Sequence, residues 1–552
     1  MKFLGTLSFV VLASLGAQAQ SAATQWRITQ PTWTDLHERQ FGEFVTRIGE
    51  AVEKRQCWKV DNCLQSSANP YYNSDPAGLK YFADCADLPY YLRGYFAWKN
   101  GLPFSIVSEV KANLEPGQDP KTIKDVRYTT LGNYVNKRYD VLTKNGIFKN
   151  TYPNALEILN DIVPGLTFSA TFRMPGDVDQ DLFTDFYPAK IDRNSIRPGT
   201  VIYDPNGHVA IIYKVADDGR IFYIDAHPDN SLTMGMFTPK FVRSKPAQGA
   251  GFKNFRPLAL VDAKVDFSGS YTGGRIVAAQ NYQLPSFGTE QFYGTQPDSA
   301  GWSKGKFIIG GQQVTFYDYV RMSLMQGDLH IDPIKDMAQL TDDICVSLKD
   351  RVDAVEAART SGVYMKPHPE KLPANIYGAE GEWEAYATPS RDARLKVAFI
   401  DLLNQTKANI ERYKRRDPAI KYSGGNLAAD LFAMYAQKAQ ACQFSYTTTN
   451  GLTVRMNLEA ARQRLFAMSF DPYHCIENRW GARMEQELAA CTDDDNKRAW
   501  YEKEKWLRNQ PERKYDARMD YSLEEITGPM PGGVGIDAPP DVDIVGYLKS
   551  QR

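Results

Sequence analysis

The chain has 552 residues, 43% of them hydrophobic and 24% charged. That is ordinary for a folded protein and enough for about two to four domains. Its 65 basic and 66 acidic residues nearly cancel, which argues against a strongly basic nucleic-acid binder or a polybasic membrane-surface protein.

Residues 1–19 read as a secretory signal peptide. Lys2 is followed by an apolar run from Phe3 to Leu15 and by Ala17-Gln18-Ala19, with cleavage expected after Ala19. No other stretch reaches about 18 apolar residues, so no integral membrane segment is expected in the mature chain. The expected location is periplasmic or secreted. Seven cysteines in an exported protein point to disulfides and, being odd in number, leave one over. Cys57 and Cys63 are close enough for a local bridge. Cys345, Cys442, Cys475 and Cys491 allow three pairings, of which Cys345–Cys442 with Cys475–Cys491 is one, and Cys85 is the remainder.

From Trp26 to Asn100 the pattern is mostly helical. In FADCADLPYYLRGYFAWKNG, Leu88, Tyr91, Leu92, Tyr95 and Trp98 make one apolar helical face that ends at Gly101. Pro89 is tolerated only near a helix start, so the helix begins at or about Asp84-Cys85. From Arg197 the character changes to strands. Runs at Val201–Tyr203, His208–Val215 and Ile221–Asp225 alternate with the turns Asp204-Pro205-Asn206-Gly207 and Asp217-Asp218-Gly219, as an antiparallel meander requires. A further strand is expected through Phe255–Val261. This order of helices and then strands predicts an α+β domain over 26–265.

Residues 266–309 are rich in Gly, Ser, Tyr and Gln and read as a linker or long loop. A helical domain is expected over 310–525. One of its helices runs through Leu340, Ile344, Leu348 and Val355 to a stop at Gly362. Another starts near Ser390, and shorter ones follow. The Pro/Gly-rich residues 526–552 read as a flexible tail.

A thiol at a helix N-terminus is favoured as thiolate, so Cys85 is the candidate nucleophile. His208 opens a strand after a Gly207 turn and is the candidate acid/base; the other histidines, His37, His330, His368 and His474, show no constellation. Asp225 lies near the end of the next strand, which antiparallel pairing returns beside His208. It would orient the imidazole, with His227 on the same face as support or substitute.

These segments resemble known families. FADCADL resembles the Asp-Cys-Ser-Gly-Leu start of the catalytic helix in NlpC-like peptidoglycan peptidases, with Ala86 and Asp87 standing where that family has Ser-Gly. RPGTVIYDPNGHVAIIYKV is similar to their Pro-Gly-Asp strand followed by Gly-His-Val. GHVAIIYKVADDGRIFYIDAHP is closer still to the CHAP amidase/peptidase pattern, whose acidic and amide-bearing positions here hold Asp225 and His227. The resemblance implies a papain-like fold, peptide or amide cleavage in cell-wall peptidoglycan, and Tyr72 as a tyrosine lining the site. It also implies an insertion, about 105–195, because 123 residues separate Cys85 from His208.

No metal or cofactor is expected. Asp177, Asp179 and Asp181 begin like a calcium loop, but Leu182 and Pro188 stand where it needs Gly and Glu, and neither HExxH nor paired CxxC occurs. The expected partner is peptidoglycan or a peptide substrate, not nucleic acid. The alternative is a non-catalytic exported cell-envelope binding or scaffold protein on the same fold, or one whose main function lies in the helical half.

Overall fold

The computed structural model describes residues 24–146, 150–327, 330–515 and 517–552. The expected signal peptide, 1–19, therefore lies outside the described residues. The chain divides into two units, the first comprising residues up to 237 with 241–326 and the second 238–240 with 327–552. Both mix helices with antiparallel strands. No helix among the described residues is long and apolar enough to cross a membrane.

In the first unit, helix α1 (Asp35–Glu53) is capped by Thr34 and buries Phe41, Phe44, Val45, Ile48 and Val52 at helical spacing. Helix α2 (Asp87–Lys99) is buried from Asp87 through Trp98, as a core helix that is apolar nearly all round must be. Its one internal cation, Arg93, is paired inside the core. The guanidinium bonds both Glu38 oxygens, at 2.9 and 2.5 Å, and lies 3.3 Å from the Trp33 ring centroid. This pair ties α1 to α2, and both partners are too well bonded for either to be lost cheaply.

Residues 105–195 open with a ribbon of β1 (Ser105–Ala112) and β2 (Asn133–Asp140), paired antiparallel. The buried Asp185 anchors it, accepting from Tyr90 Oη of α2 at 2.7 Å, Val107 N at 2.9 Å and Arg138 Nη2 at 2.7 Å. The central sheet follows, with β3 (Phe186–Pro188), β4 (Val201–Asp204), β5 (His208–Val215), β6 (Ile221–Ala226), β7 (Leu232–Met236) and β8 (Gly251–Phe255). Its order is β3-β8-β4-β5-β6-β7, and every neighbouring pair is antiparallel. Val209, Ile211 and Tyr213 of β5 face the core shared with α1 and α2, while Ala210 and Ile212 face a second cluster containing Phe241 and Phe252.

The strand expected through Phe255–Val261 is two. Pro257 cannot donate to a ladder, so β8 ends at Phe255 and β9 (Leu258–Val261) pairs instead with β10 (Arg275–Ala278). Residues 266–309, expected as a linker, belong to the first unit. They contain β10, a Tyr271 N–H bond to Ile28 O, and the buried Phe292. The same unit includes helix α3 (Phe316–Leu324), which buries Phe316, Tyr319, Val320 and Leu324.

In the second unit, α4 (Pro333–Ser361) ends as expected on left-handed Gly362, at φ +74°. Helix α5 (Pro389–Lys414) has Thr388 rather than Ser390 at its N-cap. Helix α6 (Leu427–Ala441) leads into a hairpin of β11 (Gln443–Thr447) and β12 (Thr453–Asn457) within the half expected to be helical. Residues 526–552, expected as a flexible tail, bury Ile526, Met530, Val534, Ile544 and Leu548 and end in a helix, Ile544–Ser550. Three disulfides, Cys57–Cys63, Cys345–Cys442 and Cys475–Cys491, are formed, and Cys85 belongs to none of them.

Helix α1 meets β5 at Gly49, where an added Cβ would lie 2.1 Å from the Tyr213 ring. Gly49→Ala should therefore destabilise the first unit by about 1–3 kcal/mol through overpacking. Thermal denaturation followed by near-UV circular dichroism checks this, and an unchanged midpoint would contradict the close packing.

Candidate active site

Asp84 orders the turn before α2 that carries Cys85. Its Oδ1 accepts from the backbone N–H groups of Ala86 at 2.8 Å and Asp87 at 3.0 Å, and its carbonyl accepts from Leu88 N–H at 3.0 Å. This bonding orders a turn that leads into α2, so Cys85 sits in the turn two residues before the regular helix begins at Asp87. Cys85 is half-buried.

His208 is placed by the turn before it. Asn206 N–H donates to Asp204 Oδ1 at 3.0 Å and Gly207 N–H to Asp204 O at 2.9 Å. Gly207 takes φ +85°, a left-handed value that favours glycine, and pairing of Asp204 with His208 then begins β5. Strand alternation puts His208 on the face of Ala210 and Ile212, with the Phe241 ring 6.2 Å away.

Asp225, on the same face of β6, meets the imidazole directly, with His208 Nε2 at 2.8 Å from Asp225 Oδ2. Thr233 stands opposite Asp225 across the β6–β7 ladder and donates its hydroxyl hydrogen to Asp225 Oδ1 at 2.5 Å. His227 Nε2 lies 3.2 Å from the same Thr233 oxygen. Burial works to raise the Asp225 carboxyl. The His208 hydrogen bond, the charges of His208 and His227 and the Thr233 hydroxyl outweigh it and hold the group well below the usual carboxylate range. An ionised Asp225 can only accept, so Nε2 carries the proton donated to it.

Other contacts place the Cys85 turn and the His208 strand start at one end of the sheet. The Asn230 side chain, in the turn after β6, donates to Tyr81 O at 3.0 Å and accepts from Ala83 N–H at 3.3 Å. It thus clamps the chain just before Cys85. Asp87 accepts from the Thr167 hydroxyl at 2.6 Å, and two residues further on Ser169, with Tyr128, lines the space beside Gly207. Arg173 Nη1 donates to Pro205 O at 2.7 Å. Residues 105–195 therefore flank the turn that presents His208. Burial first, and then the nearby Asp84 charge, push the Asp87 carboxyl up, which suits a side chain bonded inside the protein.

Of the expected site residues, His208 and Asp225 are in direct contact. His227 meets Thr233, the residue that also bonds Asp225. Tyr72 is not brought to the helix start. Its neighbours Tyr71 and Ser74 accept from Asn100 and Lys99 at the far end of α2, about 20 Å along the helix axis from Cys85. The family resemblance implied Tyr72 near the thiol, but the chain between them runs alongside α2. Thr233 and Asn230 escaped the sequence reading, although the β6–β7 register would have identified Thr233 as the residue opposite Asp225.

Asp225 is held ionised in the fold, so its contribution to stability is present above its unfolded value, about 3.9, and is lost as pH falls through its lower folded value. Asp225→Asn removes that contribution at every pH. The gap in thermal midpoint between wild type and Asp225→Asn should be widest above about pH 4 and narrow below it. A gap independent of pH would contradict the ionised pair. Among known proteins, the chain matches no protein-family model, no curated protein and no solved structure.

Proposed function

We propose that the first unit is a papain-like cysteine hydrolase of the kind that NlpC-like and CHAP domains represent, exported to the periplasm or beyond. It would cleave amide or peptide bonds in cell-wall peptidoglycan. The observation that carries this reading is the His208–Asp225 pair at the start of β5, at the end of the sheet where the turn ordered by Asp84 presents Cys85.

In this mechanism His208 takes the Cys85 thiol proton, and the helix start favours the resulting thiolate. The thiolate adds to the amide carbonyl carbon, and the backbone N–H of Cys85 stabilises the oxyanion. His208 then gives the proton to the departing amine, leaving a thioester. Water, deprotonated by the same imidazole, hydrolyses it and restores the thiol. Throughout, Asp225 keeps Nε2 protonated and offsets the charge of the imidazolium, and Thr233 holds the carboxylate in place. Because α2 packs on the face of Val209 and Ile211, thiol and imidazole would meet around the end of the sheet, not across it.

Digestion of purified sacculi, read as released soluble muropeptides, tests the reading. Cys85→Ala should abolish release with its circular dichroism unchanged, and His208→Ala should lower it by about 10²-fold or more. Asp225→Asn should lower kcat more than it raises KM, because the pair acts on the transition state. Full activity in Cys85→Ala would overturn the hydrolase and favour the binding or scaffold alternative.

A further inference from the structure

The second unit contains a buried cluster that no sequence motif marks. His368 follows α4, Asp471 precedes a short helix, and Glu504 caps the helix Asp495–Lys503. All three side chains are 0% exposed. One ligand atom from each lies within 4.8 Å of the others.

Counting hydrogens shows what these atoms lack. His368 Nδ1 is 2.6 Å from Pro369 O, which can only accept, so Nδ1 carries a hydrogen and donates it. The other ring nitrogen, Nε2, faces Asp471 Oδ2 at 2.7 Å. Asp471 Oδ1 already accepts from Tyr473 N–H at 2.7 Å. The neighbouring His474 supplies nothing. Its Nε2 donates to Lys497 O at 3.1 Å, and its Nδ1 takes the Ser469 hydroxyl hydrogen at 2.7 Å. Neither Glu504 oxygen has a hydrogen-bond partner, although the group is fully buried. Burial, and then the neighbouring Asp471 charge, push its carboxyl up, with Arg508 and Arg479 opposing without bonding it.

Three electron-pair donors thus converge where no positive charge is bonded to them, although Arg479 and Arg508 lie near. Two protons, one on Nε2 and one on Glu504, would supply it but leave one Glu504 oxygen unpaired, which is costly in a buried group. One divalent cation supplies the same two charges and can occupy both Glu504 oxygens. We propose that His368 Nε2, Asp471 Oδ2 and the Glu504 carboxylate bind one divalent transition-metal ion. The donor set of one imidazole and two carboxylates suits zinc best, with manganese next. The burial of all three side chains, with Trp500 stacked on the His368 ring at 4.2 Å, disfavours magnesium, which retains several waters. The His368–Pro369 bond fixes the ring as an outer-shell partner does. The ion is structural, joining three chain segments of one core.

The test uses the full mature chain, made in zinc-supplemented medium and also refolded with Zn²⁺ or Mn²⁺ in separate samples. Elemental analysis should find one equivalent of metal per chain, and X-ray absorption should show nitrogen and oxygen neighbours with no sulfur. Glu504→Gln should weaken binding at least tenfold, whereas Cys85→Ala should keep the full equivalent. The proposal fails if the wild type holds no stoichiometric metal by either route, if sulfur is in the first shell, or if Glu504→Gln retains the metal. Should Glu504→Gln not fold, the wild-type stoichiometry and absorption spectrum still decide.

Discussion

Strands β5 and β6 are buried on both faces, and that burial dictates how the few polar side chains on them are satisfied. His208 and Asp225 are 9% and 4% exposed, so the imidazole and the carboxylate must largely find partners within the protein. Alternation puts them on one face and the hairpin returns one beside the other, giving the 2.8 Å contact. Thr233 completes the carboxylate from the next strand. The same constraint keeps a proton on His208 Nε2, facing the carboxylate. A catalytic reading of the first unit depends on this orientation more than on any single distance.

The surrounding structure serves to hold that end of the sheet. Asp84 orders the turn that holds Cys85 ahead of α2, and Asn230 bonds the chain on either side of Phe82 like one strand of a ladder. Residues 105–195 anchor to α2 and to β1 through Asp185 and to the turn before His208 through Arg173. The second unit uses buried charge differently. Arg351 and Asp392 pair at 2.7 Å between α4 and α5, and a carboxylate without hydrogen-bond partners stands beside a histidine and an aspartate. Ion pairs of this burial gain little net stability over apolar packing, but losing one partner is expensive, so they specify which segments meet.

The strands from Val201 to Asp225 were legible because turn residues and β-branched runs are local signals. Pro89 located the α2 start to within a turn, although the regular helix begins at Asp87 and not at the expected Asp84-Cys85. Pairings between distant segments were not legible. The Gly- and Ser-rich stretch after 265 reads as a linker, yet Tyr271 bonds Ile28 and β10 finds β9. The residues after 526 look mobile by composition, yet Ile526, Met530, Val534, Val542, Ile544 and Leu548 are buried. Tyr72 shows the opposite failure, since a correct count of residues along the chain says nothing about which end of a helix the chain passes. His368, Asp471 and Glu504 meet only through tertiary packing, so each looked ordinary alone.

The central claim is that Cys85 is a thiolate nucleophile served by the His208–Asp225 pair. Its most direct test is the rate of alkylation of the folded, unreduced protein by iodoacetamide from pH 5 to 9, with labelled peptides mapped. The account predicts that Cys85 alone labels, with a rate midpoint well below the free-thiol value of about 8.5, and that Asp225→Asn moves the midpoint upward. A Cys85 that does not react, or that titrates like a free thiol in both proteins, would contradict it.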